Sequence, residues 1–163
     1  MRTFLIPTLC LLLAAPVLAA SPEVIRHKPA NSNFPIATAV EVPSGRTVVY
    51  VSGQVPAAID PTAPPENMAY GDTKTQTISV MNKIKAVLEG MNLKMGDVVK
   101  MQVFLAGDPA KGGKMDFAGF MEGYSMYFGT ADQPNLPARS TMQVAALVNP
   151  AYLVEIEVTA VRP

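Results

Sequence analysis

The stretch Leu136-Pro137-Ala138-Arg139-Ser140-Thr141 and the run Leu153-Val154-Glu155-Ile156-Glu157-Val158 that follows after a short turn decide the fold of the C-terminal part of the chain. Apolar and polar residues alternate in the second run, which is typical of a strand with one buried face. Glu155 then stands mid-strand, where a carboxylate is costly unless it is paired or used. Arg139 follows a proline at the start of an apolar strand, and its planar fork of donors suits a carboxylate. Arg139 is therefore a candidate anion anchor.

The N-terminal twenty residues have the layout of a secretory signal peptide. One positive charge at Arg2 precedes an apolar run from Phe4 to Leu18, and small residues follow at Ala19 and Ala20. Cleavage after either alanine fits this pattern, and Cys10, the only cysteine, leaves with the peptide. We therefore expect a periplasmic or secreted protein without a disulfide, divided into a signal peptide (1–20), an N-terminal arm (21–35) and a single domain (36–163).

Composition and charge limit the classes of partner. The chain has 163 residues, of which 49% are hydrophobic, enough for one domain with a real core. Its 13 basic and 13 acidic residues give no electrostatic case for nucleic acid or an anionic membrane, so a small molecule or a protein is the expected partner. His27 is the lone histidine, and without a second histidine or a cysteine beside it we expect no metal site.

The periodicity of the remaining chain alternates between strand and helix. An extended arm at Ile25 to Asn33 precedes the segments that we expect to form the domain, and a loop covers Pro56 to Gly71. A capping box at Thr73 and Gln76 begins the first helix, and Asp116 caps the second, whose apolar stripe runs to Phe128. The predicted strands are 36–42, 47–51, 98–105 and the two C-terminal segments. This ββαβαββ order is an α+β pattern with both helices on one face of a mixed sheet.

These residues resemble the Rid proteins, the YjgF-like reactive imine/enamine deaminases. The family signature runs Pro-Ala-Arg-Ser, a hydrophobic strand, a short gap and hydrophobic-Glu-Ile, and Pro137 to Leu147 with Val154 to Ile156 match it. The resemblance continues upstream, in the family's order and roughly its spacing, and covers nearly the whole mature chain. The upstream matches are Val51 to Pro56, Gln76, and Gly96 to Phe104.

The resemblance implies a chorismate-mutase-like fold, a homotrimer with clefts between neighbouring subunits, and cofactor-independent hydrolysis of 2-imino or enamine acids to 2-oxo acids and ammonia. It implies that Arg139 binds the substrate carboxylate, and that backbone atoms of Thr141 together with Glu155 hold the attacking water. Ser52 and Gly53 are further candidates for substrate binding, because the family's Ser-Gly-Gln, here Ser52 to Gln54, lies by the cleft between subunits. Gln76, a separate upstream match to the family, is another candidate.

Each candidate also has an ordinary structural explanation. Arg139 could pair with Asp132 or Glu122, and Glu155 could be a solvated strand glutamate of the kind expected at Glu157. Serine before glycine often only ends a strand. Glutamine at the third helical position already has a capping function.

Three residues depart from the pattern of the active branch of the family. Met121 stands where that branch has asparagine, Thr141 where it has cysteine, and Phe34-Pro35-Ile36 where it has a tyrosine. Loss of three pocket residues could change the substrate or abolish activity. The alternative hypothesis is therefore an exported trimeric small-molecule-binding or holdase-like protein that has lost catalysis, which also fits an exported chain, because reactive enamines arise chiefly in the cytoplasm.

Overall fold

The structure is a computed structural model that describes residues 23–163. The predicted signal peptide lies outside the described residues. Within this part of the chain, two helices and six strands follow one another, joined by loops that carry short 3-10 turns. They are β1 (Ile25–His27), β2 (Ala39–Glu41), β3 (Val48–Gln54), α1 (Thr73–Gly90), β4 (Val98–Ala106), α2 (Phe117–Tyr124), β5 (Ala138–Val144) and β6 (Val154–Val161).

Four strands form the main sheet in the order β3-β6-β4-β5, in which β4 and β5 run parallel and the other neighbours antiparallel. Strand residues alternate between the two faces. One face of β4 and β6 is fully apolar and joins the inner sides of both helices in a single core. The predicted α+β class, with a mixed sheet and both helices on one face, is confirmed. The opposite face, called the open face below, carries Tyr50, Gln102, Phe104, Glu155 and Glu157.

The N-terminal segment differs from the sequence-based expectation. Of the predicted strand at 36–42, only β2 is a strand in the structure. It is not part of the main sheet but pairs antiparallel with β1, and β1 lies in the segment that was predicted to be an extended arm. The side chain of Arg26 holds β1 against the domain. Its guanidinium donates to the carbonyl oxygens of Gly96, Val98 and Leu136 at 2.8–2.9 Å. One isolated bridge, between Ala37 and Ala138, ties the segment to the edge of the main sheet.

The helix ends also differ from the predicted ones. Asp72, rather than Thr73, caps α1, and its carboxylate accepts from the backbone NH of Thr75 at 2.8 Å. The predicted cap of α2 is confirmed, because Asp116 accepts from the backbone NH of Gly119. This helix ends at Tyr124, and tight turns carry the chain on to Phe128, which is buried as the apolar stripe predicted.

Candidate functional site

Arg139 lies on β5, an edge strand, opposite Met101 of β4. This register turns its side chain toward the helices. The guanidinium carbon lies 4.2 Å from the ring centre of Tyr124, 5.0 Å from that of Phe120 and 5.5 Å from that of Phe34. Aromatic faces at such distances attract a cation. These three rings form the aromatic cage of Arg139.

The two terminal nitrogens of the Arg139 guanidinium differ in their contacts. Nη2 contacts the thioether sulfur of Met121 at 3.2 Å, while Nη1 is buried and has no hydrogen-bond partner. No carboxylate of residues 23–163 forms an ion pair with Arg139, and Glu122, one of the two expected structural partners, pairs instead with Lys74 at 2.9 Å. Desolvation lowers the pKa of Arg139, and the neighbouring Tyr124 opposes this. The result is a partly desolvated cation with an unused donor, which is the arrangement that an anion anchor needs.

Tyr124 is fixed beneath the cation. Its hydroxyl donates to the carbonyl oxygen of Pro35 at 2.9 Å, and burial raises the pKa of Tyr124 to about 12. The ring of Phe34, from the segment that carries Pro35, stacks on that of Phe117 with 6.4 Å between centres. Sequence reasoning assigned Phe120 and Tyr124 to the core alone. Their spacing of four on α2, beside a predicted anion anchor, was the only signal of their second role.

Thr141 lies two residues beyond Arg139 on the same face of β5, opposite Val103. Its hydroxyl oxygen is buried and has no hydrogen-bond partner. A buried hydroxyl without a partner costs about 1–3 kcal/mol. Thr141 Oγ1 and Arg139 Nη1 are thus two unused polar groups on one side of an edge strand, as a polar ligand would require.

Glu155 lies elsewhere on the sheet. It sits on β6 opposite Phe104, on the open face, half-buried. Gly53 lies beside it, because a Cβ built on that glycine would overlap a carboxylate oxygen of Glu155. The register of β3 against β6 shifts at this point, between Val51 and Gln54, and Ser52 is exposed. The structure therefore groups Gly53 with Glu155 at one end of β3, with Ser52 next to them.

One chain does not bring these two groups together. Arg139 and Glu155 are separated by two strand spacings and three residues along β4, so their Cα atoms lie roughly 14 Å apart. Their side chains also point to opposite faces of the sheet. Arg139 and Thr141 belong to one edge of the sheet, whereas Gly53 belongs to the other.

Gln76 has a structural role in the described contacts. It is 1% exposed, and its amide nitrogen donates to the carbonyl oxygens of Gly71 and Ala151, both at 3.0 Å. Its amide oxygen accepts from the backbone NH of Leu153 at 2.7 Å. These bonds fasten the start of α1 to the turn before β6. Both amide protons and the amide oxygen of Gln76 thus bond within the chain, and Gln76 is not assigned to the site proposed for catalysis.

Within residues 23–163, no group of three His, Cys, Asp or Glu side chains is placed to bind a metal ion. None of the helices in this part of the chain is long and apolar enough to cross a membrane.

A sequence model of the endoribonuclease L-PSP family matches residues 34–162. An Escherichia coli relative, whose name describes a reactive intermediate deaminase, TdcF, is 33% identical over 116 residues, which are 71% of this chain and 80% of the relative. The chain belongs to the Rid family. A solved Rid-family protein from Yersinia pestis, YyfB, of unknown function, superimposes with a TM-score of 0.62 at 25% identity, covering 85% of this chain and 96% of that one.

Escherichia coli TdcF with bound serine gives a TM-score of 0.55 at 30% identity, covering 85% of this chain and 94% of that one. These likenesses show that this Rid protein has the chorismate-mutase-like fold of its family.

The three residues that depart from the pattern of the active branch lie around Arg139 in the structure. Met121 and Phe34 contact the guanidinium of Arg139, and Thr141 lies beside it on the same face of β5.

Proposed function

We propose that this Rid protein hydrolyses 2-imino acids, and their enamine tautomers, to 2-oxo acids and ammonia without a cofactor. The observation that carries the proposal is Arg139, a partly desolvated cation with an unpaired Nη1 donor and no carboxylate partner among the described residues. A planar fork of this kind suits a substrate carboxylate. The balance of 13 basic and 13 acidic residues offers no support for RNA as the substrate, despite the family's endoribonuclease description.

The chemistry needs positioning and one proton-transfer group. Arg139 holds the carboxylate, which places the electrophilic imine carbon. The imine reacts in its nitrogen-protonated form. Glu155 accepts a proton from water as the water oxygen bonds to that carbon, and the electron pair of the carbon–nitrogen double bond moves to nitrogen, which becomes a neutral amine. Glu155 returns this proton to the amine, and it accepts the hydroxyl proton as the carbon–nitrogen bond breaks, ammonia leaves and the carbonyl forms; that proton is then released to solvent. Backbone atoms of Thr141 orient the water.

The proposal requires more than one copy of the chain. Since Arg139 and Glu155 lie on opposite faces and toward different edges of the sheet, a complete site takes Arg139 and Thr141 from one copy and Gly53 and Glu155 from another. The exposed Tyr50 and Val48 on the open face, at 81% and 39%, support burial of that face by other copies. We propose a homotrimer, in which each of three clefts is built in this way.

A second candidate function is exported small-molecule binding or holdase activity without catalysis. The positions of Met121, Phe34 and Thr141 favour it, because all three departures from the active branch surround Arg139.

We also propose that residues 1–20 direct export to the periplasm. Mass spectrometry of protein from its native host then finds a mature N-terminus at Ala20 or Ser21 in the osmotic-shock fraction, whereas an intact Met1 on cytoplasmic protein contradicts export.

An amino-acid oxidase that generates imines, with ammonia release as the readout, separates the two functions. Loss of Arg139 leaves the substrate carboxylate unpaired, at about 2–5 kcal/mol, so Arg139→Ala lowers kcat/KM by roughly 30-fold to several thousand-fold. Arg139→Lys retains part of the activity, and Arg162→Ala, a change at an exposed arginine, serves as the matched control. Light scattering reports about three chains for each. Unchanged hydrolysis by a trimeric Arg139→Ala protein would favour the binding function.

A further inference from the structure

Met121 occupies part of the donor edge that a substrate carboxylate needs. Its sulfur lies 3.2 Å from Nη2 of Arg139, while Nη1 is unused. A carboxylate that binds both nitrogens therefore replaces the thioether at Nη2. This exchange is easy, because a thioether is a weak acceptor and a methionine side chain has three rotatable bonds.

The displaced thioether remains next to the ligand. The α-carbon of a bound 2-imino acid is directly bonded to the carboxylate that Arg139 holds, so the substrate side chain begins within reach of whatever surrounds the guanidinium. Those surroundings are Met121 and the aromatic cage of Phe34, Phe120 and Tyr124. The one hydroxyl in the cage, on Tyr124, already donates to Pro35. Apart from the hydroxyls of Tyr124 and Thr141, the surfaces around the guanidinium are apolar. An apolar side chain fits them, whereas a polar one loses more hydration than these two hydroxyls replace.

We propose that Met121, which like Phe34 contacts the guanidinium of Arg139, is a specificity-determining residue that selects 2-imino acids with apolar side chains over those with polar side chains of the same size. This inference rests on the proposed function for the identity of the ligand class. It assigns Met121 a role in discrimination rather than in the proton transfer itself. Met121 also covers the donor edge of Arg139 in the unliganded protein.

The test compares binding of two ligands of nearly equal shape, the 2-oxo acids derived from leucine and from asparagine, by calorimetry on the assembled protein. An apolar site discriminates against the amide by about 10- to 100-fold. Met121→Gln, which keeps the length of the side chain and adds an amide, reduces that ratio by about tenfold. Met121→Leu keeps it, as does Met126→Gln, the matched control at a methionine that is 58% exposed.

Equal binding of the two acids by the unaltered protein overturns the inference, and this measurement does not depend on any variant folding. An unchanged ratio in Met121→Gln also overturns it. Ammonia release from the corresponding imines is measured separately. Discrimination without ammonia release refutes the proposed catalysis and leaves the role of Met121 standing, whereas ammonia release without discrimination refutes the role of Met121 alone.

Discussion

Replacing Gly53 by alanine tests the position of Glu155 without changing its charge. A Cβ at residue 53 would overlap one carboxylate oxygen of Glu155 and lie 3.0 Å from Cδ and 3.2 Å from Cγ. Since ordinary non-bonded contacts are at about 3.5 Å or more, the carboxylate must move by about 1 Å. Gly53 is not among the glycines with positive φ, so alanine meets no backbone strain there.

A displacement of this size is expected to affect catalysis far more than folding. Misplacing a catalytic group by about 1 Å can lower the rate on the order of 100-fold. We therefore expect Gly53→Ala to lower kcat/KM for imine hydrolysis about 100-fold, while the free energy of unfolding changes by about 1 kcal/mol or less. Steady-state ammonia release and urea unfolding measure the two quantities on the same preparation.

Two further variants make the result decisive. Gly90→Ala is the matched control, because a Cβ there meets nothing within 4 Å, and it should leave activity unchanged. In the Glu155→Ala background the overlap no longer exists, so adding Gly53→Ala should cause little further loss. Full activity of Gly53→Ala would refute the reasoning, as would a second 100-fold loss in the double variant, because either shows that the position of the Glu155 carboxylate is not what Gly53 protects.

Three other variants test structural roles. Gln76→Leu removes the partners of one buried and two partly buried backbone groups, so chemical denaturation should show a loss of about 2–3 kcal/mol. A changed KM at unchanged stability would instead indicate that Gln76 contacts the substrate. Arg26→Ala removes three charged hydrogen bonds to backbone carbonyls and should cost about 2 kcal/mol, with proteolysis cutting first near β1 if the anchoring is as described. Burial raises the pKa of Tyr124 from 10.0 to about 12, so its contribution to stability is fully present below pH 10 and is lost as pH rises through about 12. Tyr124→Phe should remove the last phenolate from an alkaline absorbance titration, and persistence of that phenolate would assign it to another tyrosine.

The sequence predicted the helices and the central strands because their apolar residues repeat at helix or strand spacing and face one core. It was wrong where two local signals competed. Thr73 and Gln76 have capping-box spacing, yet the carboxylate of Asp72 caps α1, and the side chain of Gln76 is buried. The segment 36–42 alternates like a strand of the main sheet, but its β2 part pairs only with β1. Nothing near Arg26 in the sequence indicates the distant carbonyls that hold it.

The sequence predicted which residues form the candidate site, but it did not predict where they lie relative to one another. Period-two alternation puts Arg139 and Thr141 on one face of β5, and the structure has them there. The relation of Arg139 to Glu155 depends on strand order and register, which no local pattern encodes. The aromatic cage likewise joins Phe34, far upstream, to α2 through tertiary packing.

The cage explains how the chain can bury a cation and still leave its donors available. A carboxylate from the same chain would neutralise Arg139 more strongly, but a substrate would then have to displace it. Aromatic faces contribute about 0.5–2 kcal/mol of attraction without accepting conventional hydrogen bonds, and the sulfur of Met121 is a weak acceptor. The hydroxyl of Tyr124 donates to the carbonyl oxygen of Pro35, and its proximity to the guanidinium opposes the lowering of the pKa of Arg139. Arg139 is thus held in place without a carboxylate partner among the described residues, which is what the proposed binding of a substrate carboxylate requires.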